Sequence, residues 1–137
     1  MLLGSVFLAG WMGSGAIAGE GSPDPLARCD IQSGPCTQVR DALTVTMDIF
    51  PKPVRAMKEL TFRLILGGVE MTGIPHIDLS MPGMAMGPNR VRMKCVGVNT
   101  YEGRGVVVKC PSGRRTWKAL VTLPDGRAVD FVFDVIY

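Results

Sequence analysis

This sequence predicts an all-β fold, an antiparallel β-sandwich of about seven strands. Three observations carry that expectation. Short runs alternate apolar and polar residues with a period of two, as half-buried strands do. Turn-forming Gly, Pro, Asn and Asp residues separate these runs at intervals of roughly ten residues, the spacing typical of sandwiches. No segment sustains a helical period, and "RAMKEL" (55–60) is too short for more than a helical turn.

The first run, "LTVTMDIF", sets Leu43, Val45, Met47 and Ile49 on one face and Thr44, Thr46 and Asp48 on the other. Pro51 and Pro53 then stop the ladder, because proline has no N–H to donate to a neighbouring strand. "KELTFRLIL" alternates through Leu60, Phe62 and Leu64 and ends at Gly67-Gly68. "HIDLSM" is short and strand-like, and "NRVRMKCV" puts Val91, Met93 and Cys95 on one side. "GRGVVVKC" is a compact β-branched run, for which Glu102-Gly103 offers a two-residue turn. "TWKALVTL" alternates through Trp117, Ala119 and Val121, and Asp125-Gly126 makes the next turn. "AVDFVFDVIY" closes with Val129, Phe131, Phe133, Val135 and Tyr137 in phase. No internal repeat or second domain is visible. A chain of 137 residues, 47% hydrophobic and 20% charged, suffices for one ordinary core.

Residues 1–18, "MLLGSVFLAGWMGSGAIA", carry no charge. Leu2 to Met12 reads as the apolar centre of a secretory signal, and Ala16-Ile17-Ala18 as its cleavage site, with cutting before Gly19. The alternative is an N-terminal anchor. Residues 19–36 are rich in Gly, Ser, Pro and Asp and read as an irregular lead-in, with the sandwich domain occupying 37–137. The expected location is periplasmic or otherwise extracytoplasmic, where cysteines oxidise.

Four cysteines allow three pairings. Cys29 and Cys36 flank the turn-rich "DIQSGP", which closes easily on itself. If Glu102-Gly103 is a turn, Cys95 falls opposite Cys110, within disulfide reach. A rival pairing joins Cys36 to Cys110. No CxxC or Cys/His spacing suggests zinc.

The formal charge of +3, from 15 basic and 12 acidic residues, is too mild and dispersed for a nucleic-acid surface. His76 is the only histidine, no nucleophile motif surrounds it, and no phosphate-binding loop is present. These absences point away from an enzyme. Chemistry concentrates instead in "DLSMPGMAMGPNRVRM" (78–93), where Met81, Met84 and Met86 lie within six residues around Pro82-Gly83. Thioethers are soft, uncharged donors that favour Cu(I). Met84 and Met86, two apart, project to one side of an extended backbone, and the Pro-Gly pair can turn Met81 back toward them. His76 precedes them by five residues and adds an imidazole, a common copper partner. Met47 and Met93 fit strand alternation as core, while Met57 and Met71 read as loop or core filler. The competing use of the cluster is packing, or a metal-free sticky surface.

"DIFPKPV", "MPGMAMG" and "RRTWKALVTLPDGRAVDFVFDV" together resemble the FixH/YtkA-like family over residues 40–136. That resemblance implies an extracytoplasmic immunoglobulin-like domain and, from FixH-type members, copper delivery to haem–copper oxidases or assistance in their assembly. It carries over to Met81, Met84 and Met86. Similar proteins often place a His shortly after the second Met; this chain has Met86 there, which favours Cu(I) over Cu(II). The expected partners are the copper ion and an envelope protein that receives it, or an oxidase assembly factor. A metal-free interaction domain of an envelope complex or efflux system is the alternative.

Overall fold

A computed structural model describes residues 29–68, 70–84 and 87–137. Within them the chain forms eight strands: β1 (Cys36–Arg40), β2 (Leu43–Phe50), β3 (Glu59–Gly67), β4 (His76–Ser80), β5 (Arg90–Gly97), β6 (Thr100–Val106), β7 (Thr116–Thr122) and β8 (Ala128–Asp134). All pair antiparallel in the order β1-β2-β3-β6-β5-β4-β7-β8. The all-β sandwich expected from alternation is therefore present, with one strand more than expected. The added strand, β1, begins at Cys36, at the end of the lead-in, and buries none of its residues. Without an apolar face it leaves no alternation to read.

β5 joins the two halves of the fold. Its first residues, Arg90–Arg92, pair with β4, and Met93–Gly97 pair with β6. The outer strands β1 and β8 then meet through side chains: Gln38 Nε2 donates to Asp130 O at 3.0 Å and Arg40 Nη1 to Ala128 O. The rolled sheet encloses a core centred on Trp117, Phe62, Phe131 and Phe133, with Met47 and Met93 inside it.

The β5–β6 turn differs from the sequence expectation. It falls at Val98-Asn99, where Asn99 adopts φ 52°, a left-handed conformation that asparagine tolerates. Glu102 and Gly103 lie inside β6, and Cys95 opposes Tyr101. The Cys95–Cys110 bridge is thereby excluded, as is Cys36–Cys110. Cys29 and Cys36 are bonded instead, with Cα atoms 5.8 Å apart, and Cys95 and Cys110 are free.

The bridge makes the visible lead-in part of the fold. Ile31 is fully buried, and Gln32 exchanges hydrogen bonds with Val54, donating to its carbonyl at 3.0 Å and accepting from its N–H at 2.7 Å. Thiol counting on denatured, unreduced protein should give two free thiols per chain, rising to four after reduction. Because the bridge closes a short loop, its removal should cost about 2.5 kcal/mol in a urea melt.

Candidate functional site

Antiparallel connectivity sorts the loops into two ends. The β2–β3, β4–β5 and β6–β7 connections (residues 51–58, 81–89 and 107–115) emerge together, and the others emerge at the opposite end. Hydrogen bonds lock this loop end. Met57 N donates to Val107 O at 2.7 Å, Ala56 N to Ile136 O at 2.8 Å, and Val135 N to Arg115 O at 2.9 Å. Asn89 Nδ2 reaches Val106 O at 3.1 Å, and Arg114 Nη1 reaches Pro82 O at 3.4 Å.

The methionine loop grows directly from β4. Ile77 and Leu79 face inward, and Met81 continues that phase, 3% exposed within the core. Pro82 and Gly83 then turn the chain. Met84 N donates to Met81 O at 3.1 Å, and Gly83 takes φ 77°, as the third residue of a type II turn requires. Met84 consequently points outward, 39% exposed. Leu79 N, donating to Asn89 O at 2.8 Å, closes the base of the loop. The turn thus divides the sulfurs, with Met81 anchored and Met84 presented. Met86 lies outside the described residues.

His76 is not brought to these sulfurs. It opens β4 at the opposite end and faces outward, its Nε2 3.5 Å from Asp78 Oδ2. Asp78 also accepts from Arg90 Nε at 2.9 Å. Five strand residues, at about 3.3 Å each, separate His76 from Met81 by about 16 Å.

Two other sulfurs share the loop end, and the sequence reading did not join them to the Met loop. Met57, at φ 65° and 63% exposed, accepts a hydrogen bond on Sδ from Lys109 N at 3.3 Å. Cys110 is buried, with Sγ 3.0 Å from Ser112 Oγ and its N–H donating to Tyr137 Oη at 3.2 Å. Hydrogen bonding from Ser112, helped by the positive charge of Arg114, holds the Cys110 thiol below its ordinary range. Alternating strand direction was the signal that could have grouped these residues. It sends every second loop to the same end.

Donors at this end are soft and mostly uncharged, a set suited to Cu(I) rather than to hard cations. Among the described residues no three His, Cys, Asp or Glu side chains are grouped to hold a metal. Comparison with known proteins finds no matching family model, no matching curated protein and no matching solved structure.

Proposed function

We propose that this protein is an exported Cu(I)-binding protein that carries or buffers copper, or assists haem–copper oxidase assembly, through its methionine loop. The observation that carries the reading is the turn at Pro82-Gly83. It keeps Met81 in the core and sets Met84 outside on a fixed base. Met84 and Met86 are the proposed donors, and Met81 positions the loop that bears them. His76, at the other end of β4, stands outside this donor set. The resemblance to FixH-type proteins supports the same assignment, and the Cys29–Cys36 bridge suits an oxidising compartment.

The alternative is a metal-free interaction domain of an envelope complex or efflux system, favoured by the exposure of Met57. Cu(I) titration against a chromophoric chelator separates the two. The expected result is tight binding at one equivalent. Failure to compete with the chelator would leave the interaction domain.

A further inference from the structure

The loops around the methionine turn have a one-sided charge. Segments 51–58, 81–89 and 107–115 contain Lys52, Arg55, Lys58, Lys109, Arg114 and Arg115 and no acidic residue. Lys52 is committed to Asp48 at 2.8 Å. The other five form no ion pair with any described residue. Lys109 and Arg115 instead flank the Tyr137 ring, each 5.5 Å from its centroid, and Arg114 lies against the Pro82 carbonyl. Of the nearby acids, Glu59 faces Arg104 at 3.6 Å. Asp30 and Asp134 accept from the neutral hydroxyls of Ser33 and Thr116 and keep their charge. The five unpaired cations outnumber them, so the end stays net positive.

Apolar side chains stand out between these cations. Met57 is 63% exposed, Val108 40% and Met84 39%, and they come from three different loops. Cationic heads alternating with apolar tips match the boundary of an anionic bilayer, where phosphates meet acyl chains. The lead-in adds a second, independent observation. Cys29 N bonds to Val132 O near the end of β8, and Gln32 is tied to Val54 of the β2–β3 loop. Cys29, the residue to which residues 1–28 attach, therefore lies at this same end.

We propose that the loop end is a membrane-docking surface that seats on anionic phospholipid. Arg55, Lys58, Lys109, Arg114 and Arg115 would meet headgroup phosphates, and Met57, Met84 and Val108 would enter the interfacial layer. A bilayer is favoured over an acidic protein because the cations share their loops with exposed Met57, Met84 and Val108, and a phosphate layer backed by acyl chains meets both kinds of side chain at once. This inference does not depend on copper binding.

The test compares the full chain on vesicles of phosphatidylcholine with and without phosphatidylglycerol. Residues 1–18 carry no charged side chain, so the preference for anionic over neutral vesicles reports the charge of the rest of the chain, which the two triple variants divide between the loop end and elsewhere. Wild type should prefer the anionic vesicles, and salt should erode that preference. The Arg55→Gln, Lys58→Gln, Lys109→Gln triple variant should lose it at about fivefold per charge, on the order of a hundredfold in all. Arg40→Gln, Arg92→Gln, Lys94→Gln removes the same net charge away from the loop end and should retain most of it. Equal losses in the two variants would overturn the proposal. So would binding to soluble polyglutamate without a vesicle preference, which would reassign the face to an acidic protein. As a check independent of the charge variants, Met57→Trp should shift its added fluorescence to the blue on anionic vesicles. Unchanged emission there would also overturn the proposal.

Discussion

Gly103→Ala should destabilise the fold by about 3 kcal/mol or more, at the upper end of what overpacking costs. Gly103 is buried in β6, between Phe62 of β3 and Met93 of β5. A Cβ there would stand 2.2 Å from Arg92 O, 2.8 Å from Met93 Sδ and 2.9 Å from Val91 Cγ1. The nearest atom is backbone, part of the strand that joins the two halves of the sheet, so relief requires moving β5. Gly105→Ala is the informative neighbour. Its Cβ would meet side chains only, Val91 Cγ2 at 2.8 Å and Phe62 Cε1 at 3.3 Å, which can rotate aside. Its cost should be about 1–2 kcal/mol. Gly97→Ala, with its nearest neighbour at 3.8 Å, should be close to neutral. Urea melts of the three variants should therefore rank 103, then 105, then 97. Gly103→Ala melting with Gly97→Ala would contradict the close approach of β5 to β6.

That glycine also shows where sequence reading works and where it stops. Alternation located seven strands because each has a buried face, as the strict inward phase of β2 and β7 shows. Glycine is ambiguous: it marks turns, and it also marks strand positions with no room for a side chain. Read as a turn, Glu102-Gly103 moved the hairpin by several residues and set Cys95 opposite Cys110. The true turn, Val98-Asn99, is signalled only by an asparagine after an exposed valine. Among the cysteines, the short turn-rich segment between Cys29 and Cys36 was the legible feature, since local closure needs no register.

The site was legible in part. The spacing of Met81 and Met84 around Pro-Gly showed that both could not follow one strand period. Burial decided which faced inward, and burial depends on β4 lying between β5 and β7. His76 appeared close because it precedes Met81 by five residues. In extended backbone that separation is long, whereas in a helix it would have been little more than one turn. The juxtaposition of Met57 and Lys109 arises from the pairing of β3 with β6, which are distant in sequence and leave no local signal.

Met84→Leu combined with Met86→Leu should reduce Cu(I) affinity on the order of a hundredfold, equivalent to about 2.7 kcal/mol. The substitutions keep apolar bulk and remove both sulfurs. Because Met84 is well exposed, stability should change by less than about 1.5 kcal/mol. Fold retained with metal lost is the signature of a ligand; a packing residue would leave copper binding unchanged. Acid adds a second discriminant, because protons compete with Cu(I) only at donors that titrate. Thioethers do not, so affinity should remain level from neutral pH to about pH 5, whereas a donor that takes up protons would release the metal over that range. Cys110 offers a third pattern. Its thiol is held low by Ser112 and Arg114, and a thiolate ligand would lose Cu(I) progressively as pH falls through that lowered value. Chelator competition on both proteins across this range reads all three. A level profile that the double substitution abolishes assigns binding to the Met loop, and a slope surviving the substitution would move the metal to Cys110 or His76. Equal affinity in the two proteins would remove the methionine loop from copper chemistry altogether.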